Sequence, residues 1–429
     1  LARLSAPGIL LVAFQTLVSV GDTYFVGRLG TEPLAGLALV FPLIMLLQMT
    51  SAGAMGGGVS SAIARALGSG NTGLARKLVA HALVIALAMG LAFTMLVLAL
   101  GPALYRLLGG SGETLANALR YSNIVFGGAL TVWAANTLSS VLRGSGNMLA
   151  PALTLISAAL IHLPLSATLT ARIGIAGAGI AYVTTFGIAA LVMAAIVWRS
   201  SALAPGRGDW KLERRLFREI LRVGAISVVS SFQTVLTAVI VTGYVGRYGA
   251  AALAGYGVGL RLELLQIPLV FAVGQALVVL VGTHIGAGRH ERAKRIAWIG
   301  AGFAASISLA IGIAASLFPL AWVGLFSGDR AVLESGSQYL RTVAPFYPML
   351  AVGIALYFAS QGAGRVVRPV LAGTVRLLLV IVGGLAVVSL QGVFMVIAAA
   401  MIAFGALTIW FVALAEWKQD ERFDLGKAR

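Results

Sequence analysis

The chain is poor in charge. Of its 429 residues only 10% are charged and only 14 are acidic, while 59% are hydrophobic and the mean hydropathy is +0.96. A soluble domain carries about 25% charged residues, and so few cannot clothe a water-facing surface. Cysteine is absent, which excludes a disulfide framework and a thiolate metal site and leaves the compartment unreadable from redox chemistry. A short signal peptide is not seen either, since the first apolar stretch, residues 4–26, is long enough to span a bilayer. There is no His-Glu-x-x-His, no Walker loop and no Ser/His/Asp pattern, so no catalytic cluster argues for an enzyme. Gly68-Ser69-Gly70-Asn71-Thr72-Gly73 matches GxGxxG literally but lacks the preceding strand and the later acid, and it reads as a turn. Gly53 and Gly57 form a GxxxG pair that reads as close helix packing.

What the chain has is long apolar runs. A spanning helix needs about 20 mostly apolar residues. Twelve such segments lie near 4–26, 34–62, 76–101, 114–141, 150–170, 174–198, 219–245, 251–282, 294–320, 332–361, 367–389 and 392–416. The expected fold class is therefore an all-α, polytopic membrane protein with twelve transmembrane helices.

The formal net charge of +17 would raise the question of nucleic acid in a soluble protein. Here the distribution decides. All but eight of the 31 basic residues (Arg28, Arg106, Arg120, Arg172, Arg247, Arg261, Arg330 and Arg341) fall at the termini or the even-numbered connections; Arg143, Arg222, Arg368 and Arg376 are among them. Basic residues favour the cytoplasmic side. The expected topology has both termini in the cytoplasm, a cytoplasmic linker at 202–218, and no nucleic-acid partner.

The sequence repeats itself at an offset near 218. Phe14-Gln15-Thr16 recurs as Phe232-Gln233-Thr234, Val26-Gly27-Arg28 as Val245-Gly246-Arg247, and Leu34-Ala35-Gly36 as Leu253-Ala254-Gly255. Gly68 matches Gly286, Ala75 matches Ala293, Tyr121 matches Tyr339 and Pro151 matches Pro369. Six spans per half give the halves the same orientation, so they form parallel repeats about a pseudo-twofold axis along the membrane normal, an arrangement suited to alternating access. The expected domains are an N-terminal lobe, 1–201, the linker, 202–218, and a C-terminal lobe, 219–429.

Only two acids lie within apolar segments, Asp22 and Glu263. A carboxylate in hydrocarbon is costly and marks an ion or substrate path by default. Gln15, Ser19 and Asp22 share one helical stripe, expected to face the bundle interior. The second half keeps Gln233 but carries an apolar residue opposite Asp22. Glu263 lies about 18 Å into span 8; it reads as a transport residue or as half of an ion pair with an Arg on another span. Pro268, five residues on, is expected to kink or break that helix. His162, mid-span and near Pro164, reads as a packing residue or a proton-handling one. Asn136, Gln266, Gln275 and Arg261 are weaker candidates for the coupling or substrate site.

Taken together, Val20-Gly21-Asp22-Thr23-Tyr24-Phe25-Val26-Gly27-Arg28-Leu29-Gly30, Leu34-Ala35-Gly36, His284-Ile285-Gly286-Ala287-Gly288 and the paired turns Leu142–Gly146 with Pro151 and Gln361–Gly364 with Pro369 resemble the multidrug and toxic compound extrusion (MATE) transporters, specifically their DinF-like bacterial branch. The resemblance covers nearly the whole chain. It implies two six-helix lobes around a V-shaped central cleft in a bacterial inner membrane. It further implies export of amphipathic, often cationic compounds in exchange for H⁺ or Na⁺, with no other cofactor, and a monomer in the bilayer. Asp22 matches the family's span-1 ion-coupling Asp and would be a metal ligand were Na⁺ the ion. The branch keeps Asn/Asp groups in span 5; this chain has Ser157–Pro164 there, with His162 near the place of the Asp. A lipid-linked-substrate flippase of the same superfamily is the alternative, although Arg261 is the only mid-membrane basic candidate for a pyrophosphate. A channel fits less well, because Asp22 has no counterpart in the other half.

Overall fold

The computed structural model describes residues 2–415 and 417, and among them every regular element is helical. In lipid a backbone must satisfy its own hydrogen bonds, and a helix does so within one segment. The spans are α1 (Ala2–Gly27), α2 (Thr31–Gly68), α3 (Thr72–Leu107), α4 (Gly112–Gly127 and Ala129–Gly144, meeting at 47°), α5 (Leu149–Ile173), α6 (Ile175–Trp198), α7 (Arg214–Gly246), α8 (Ala250–Gly286), α9 (His290–Leu317), α10 (Arg330–Gly362), α11 (Val367–Ala386) and α12 (Leu390–Ala413). Ten of these are long and apolar enough to cross a membrane, eleven with the bent α4; α1, 26 residues long, is of spanning length as well. Large apolar side chains such as Met95, Leu191 and Val382 stand exposed on the helix surfaces. Hydrocarbon tolerates such a surface and water does not.

The helix ends follow from local chemistry. Asn71 caps α3, its Oδ1 accepting from the Leu74 N–H at 2.8 Å, so the GxGxxG stretch is a turn and a cap. Asp329 caps α10 and Ser389 caps α12 in the same manner. Pro268 does not end α8, which runs unbroken from Ala250 to Gly286. Transmembrane helices tolerate an interior Pro because neighbouring groups re-satisfy the freed carbonyl.

The repeat is visible in the backbone. Glycines with positive φ close the turns at Gly30, Gly70 and Gly146 and again at Gly249, Gly288 and Gly364. Close helix contacts recur at the same offset. A Cβ on Gly36 would stand 2.9 Å from the Ala118 nitrogen of α4, and one on Gly255 would stand 2.6 Å from the Gly336 nitrogen of α10. A Cβ on Gly144 would meet the Ser60 carbonyl at 2.8 Å, and one on Gly362 the Val278 carbonyl at 2.5 Å. Without a hydrophobic drive between helices in lipid, such small-residue contacts bring backbones together.

The described residues form two compact units, the first of residues 6–224 and the second of residues 225–415 with 2–5, so that the chain passes from the first to the second inside α7. The first unit has one core, in which Trp133, Phe126, Tyr121, Val125 and Leu78 are buried together. The second has two apolar clusters, one around Tyr339, Tyr347 and Phe394 and another around Leu277, Ile285 and Leu356. The first turns of α7 belong with the first unit because glycine permits it. A Cβ on Gly58 would lie 2.7 Å from the Ile220 carbonyl oxygen, and one on Gly224 would lie 3.2 Å from the Met55 Cα. Arg65 pairs with Glu219 at 2.6 Å beside that crossing.

Of the expected GxxxG pair, Gly57 is buried but Gly53 is not closely packed. Residues Met49–Met55 of α2 form a π-helical turn, which changes the faces presented by the glycines that follow. Gly53 has open space beside it, whereas Gly56 abuts Ser140 and Gly58 abuts α7. Gly58→Ala is therefore expected to destabilise the protein by about 1–3 kcal/mol, because backbone must move to admit the methyl group. Gly53→Ala is expected to be neutral or stabilising by about 0.5–1 kcal/mol. Thermal unfolding of the purified variants in detergent measures both, and an equal response would contradict this packing.

Candidate ion-coupling site

Asp22 sits on α1 at 7% exposure, beside Gly21, where α5 passes so closely that a Cβ on Gly21 would meet Leu163 at 2.6 Å. That close approach brings α5 side chains onto the carboxylate. His162 Nε2 lies 2.9 Å from Oδ1 and 3.0 Å from Oδ2, and the Ser166 hydroxyl donates to Oδ1 at 2.5 Å. His162 and Ser166 are four residues apart, one turn of α5, and so share a face. Both are buried.

The other imidazole nitrogen fixes the tautomer. His162 Nδ1 lies 3.2 Å from Thr185 Oγ1 on α6. The Thr185 hydroxyl hydrogen is directed to the Ala181 carbonyl at 2.8 Å, or alternatively to that of Tyr182 at 3.1 Å. Its oxygen is therefore the acceptor toward His162, and Nδ1 carries a hydrogen. Nε2 then faces the Asp22 carboxylate with one site for one proton between them. Tyr121 of α4 and Tyr182 of α6 stand within electrostatic range of the carboxylate.

Asn136 belongs to the same lobe interior. Its Nδ2 donates to Gln48 Oε1 at 3.0 Å and to Ser51 Oγ at 2.8 Å, and Gln48 in turn donates to the Tyr182 hydroxyl at 2.7 Å. A buried polar network thus links α2, α4 and α6 and reaches α6 three residues before Thr185. It sits on the π-helical turn of α2, the kind of irregularity frequent at functional sites.

Gln15 and Ser19 do not join Asp22. Both are exposed, Ser19 about one turn and Gln15 about two turns before Asp22 on α1. Glu263 of α8 is buried in the second unit, where it accepts from the Tyr339 hydroxyl at 2.9 Å. Tyr256 stacks edge-on against Tyr339 at 5.3 Å, and Arg376 of α11 supplies the nearby positive charge. Arg376, counted among the connection residues by its sequence position, lies within the α11 helix. Gln266 is buried with its Oε1 unpartnered, as is that of Gln275. Gln233 donates to Thr374 at 2.8 Å. Arg261 is exposed, its guanidinium 5.3 Å from the centre of the Phe326 ring, away from Glu263.

Sequence reasoning missed Ser166, Thr185 and Tyr182 at the Asp22 site and Tyr339 and Arg376 around Glu263. Ser166 carried a signal, its one-turn spacing from His162. Tyr339 carried another, as the repeat counterpart of Tyr121. Thr185 carried none.

The MatE family model matches residues 7–168 and 226–386, one match in each half. The chain belongs to the MatE family. Among curated relatives, a FAD transporter of Shewanella oneidensis is 26% identical over 369 residues, covering 84% of this chain and 80% of that one. A probable multidrug resistance protein NorM of Thermotoga maritima is 23% identical over 379 residues, covering 86% of this chain and 81% of that one. A solved MATE structure in the bent conformation aligns with TM-score 0.90 at 23% identity, covering 96% of this chain and 94% of that one. A MOP superfamily transporter from Pyrococcus furiosus aligns with TM-score 0.88 at 23% identity over the same shares. These establish a membrane-embedded transporter of this fold.

The Thr185 contact is open to a direct test. Thr185→Val keeps the shape of the side chain and removes the acceptor for His162 Nδ1–H. Stranding that buried donor is expected to cost about 1–3 kcal/mol. Unfolding in detergent reads the loss, and an unchanged midpoint would mean that Nδ1 has another partner.

Proposed function

We propose that this chain is a proton-coupled antiporter that exports amphipathic, often cationic organic compounds, with Asp22 as the coupling residue. The observation that carries this reading is the Asp22–His162 contact. With Nδ1 committed to Thr185, one proton between Nε2 and the carboxylate makes the pair electrically neutral, whether it is drawn as acid and imidazole or as carboxylate and imidazolium. Without that proton, the Nε2 lone pair faces a carboxylate at 2.9–3.0 Å and the contact becomes repulsive. Loading and unloading a proton therefore makes and breaks the attachment of α1 to α5. A site that changes both charge and packing in this way suits an exporter that exchanges an ion for a cationic drug. If each weakens binding of the other, the effect must be reciprocal.

The donor set supports H⁺ over Na⁺. Hard cations take oxygen ligands, and around Asp22 the neighbours supply one hydroxyl and one imidazole nitrogen. Drug export is in keeping with relatives named as multidrug resistance or export proteins. The relative named a FAD transporter makes a dinucleotide the second substrate to try. Basic residues at the even-numbered connections support a bacterial inner-membrane placement with both termini in the cytoplasm, and membership of a family of transporters supports a transporter that is not an enzyme.

The test is efflux of a fluorescent cationic dye from proteoliposomes, with pH and Na⁺ gradients imposed separately. The pH gradient is expected to drive efflux and the Na⁺ gradient to leave it at background. Asp22→Asn is expected to reduce the pH-driven flux to the protein-free level. Wild-type flux from a folded Asp22→Asn protein would refute the role of Asp22, and flux driven by Na⁺ alone would refute the proton.

A further inference from the structure

A second buried histidine lies far from Asp22, and its chemistry is unused by the reading above. His81 of α3 has no exposed surface. Its Nδ1 lies 2.7 Å from the Lys77 carbonyl, and its Nε2 lies 2.8 Å from the backbone nitrogen of Glu213, just before α7. A carbonyl can only accept and a peptide N–H can only donate, so Nδ1 carries the hydrogen and Nε2 is bare. The imidazole is neutral in this arrangement, and both of its nitrogens are committed. A proton added at Nε2 would point N–H at N–H and place a charge in a closed site.

The segment that His81 holds is the linker between the halves. Its other attachments are ionic. Lys77 Nζ meets Glu213 Oε1 at 2.8 Å, and Arg76 Nε meets Asp209 Oδ2 at 3.4 Å. Arg76 also donates to the Ser201 carbonyl at 3.3 Å. Asp209 accepts from the Gly206 N–H at 2.9 Å, folding residues Arg207–Trp210 into a single 3₁₀ turn. Phe217 of α7 closes the site, edge-on to the imidazole at 4.7 Å. The charged groups around His81 are thus Lys77 and Arg76 on α3, Asp209 and Glu213 on the linker, and Arg215 on the first turn of α7. Lys77 holds the Glu213 carboxyl below its ordinary range, chiefly by their hydrogen bond. That ion pair is present above the ordinary range of a glutamate and is lost only in stronger acid. Histidine changes charge between about pH 5 and 8. A proton on His81 Nε2 would cost the Glu213 N–H its acceptor, whereas the ion pairs would still hold the side chains of Asp209 and Glu213.

The α3 helix is long enough to put this assembly beyond the hydrocarbon. Its 36 residues span about 54 Å, against about 30 Å of bilayer core. Lys77 and His81 lie in its first three turns.

We propose that His81 is a pH-sensitive catch for the linker. Neutral, it holds the Glu213 backbone on α3; protonated, it gives up that N–H, so that the backbone just before α7 loosens while the ion pairs still hold Asp209 and the Glu213 side chain. The proposal does not depend on Asp22 or on the identity of the exported compound, and its readout is not transport.

Hydrogen exchange of the full chain in nanodiscs reads the contact directly. The Glu213 amide is expected to be protected at about pH 7.5 and to exchange at least about tenfold faster at about pH 5.5, after correction for intrinsic rate. His81→Gln offers an amide N–H and a carbonyl in place of the two imidazole nitrogens and takes up no proton. It should keep the amide protected across the range. His81→Ala should leave it exchanging fast at both ends. A flat wild-type profile, or a transition that persists in His81→Gln, overturns the catch.

Discussion

A charge placed among apolar helices must find its counterpart inside the same bundle, since hydrocarbon offers nothing to replace water. That constraint organises the N-terminal lobe around Asp22. The carboxylate fixes the closeness of α1 and α5, which Gly21 permits. It fixes the position of His162, and through His162 it requires an oxygen on α6, supplied by Thr185. Three helices are thus placed by one acid. The neighbouring Asn136–Gln48–Tyr182 network extends the same logic to α2 and α4, the amide donors of Asn136 and Gln48 each answered by an oxygen within the lobe.

The scaffold that carries this site is a repeat of backbone contacts more than of side chains. Gly36 and Gly255 approach α4 and α10 at matching positions, and Gly144 and Gly362 do the same against α2 and α8. A glycine at such a crossing has no substitute, because any Cβ would stand under 3 Å from backbone. The turn glycines are held by their positive φ in the same way. These positions resist divergence in both halves, which is why the offset near 218 could be read from the sequence. Buried polar residues are bound only by their partners within one lobe, so the two halves were free to differ there.

This difference in constraint separates what was legible from what was not. The apolar runs gave the spans to within a few residues at most ends, since the length a bilayer demands is a property of composition. Asp22 and Glu263 stood out because only two acids fall inside apolar segments. The partner of Asp22 did not stand out: His162 is 140 positions away, and no local pattern distinguishes a packing histidine from one on a carboxylate. Arg376 was placed with the connections because its charge fits there, and only the packing of α11 shows it serving Glu263. The GxxxG pair misled for a different reason. A π-helical turn has no sequence signature of its own, yet it rotates every residue after it, and close contacts fall at Gly56 and Gly58 while Gly53 has none.

The two intramembrane carboxylates are compensated by different chemistry, and that difference bears on which half can exchange an ion. Glu263 has Tyr339, whose hydroxyl donates to it, and the guanidinium of Arg376. A guanidinium stays charged under all physiological conditions, so Arg376 places a fixed positive charge in the electrostatic surroundings of Glu263. Asp22 has no such fixed cation among its hydrogen-bond partners. Its partner is an imidazole, the one side chain whose charge changes near neutral pH, and the tautomer set by Thr185 aims the variable nitrogen at the carboxylate. Two lobes with the same backbone plan therefore hold one acid near a fixed positive charge and one whose hydrogen-bond partner is an imidazole. The second arrangement is the one in which a proton would change both charge and packing, which is the physical reason to test for ion exchange in the N-terminal half.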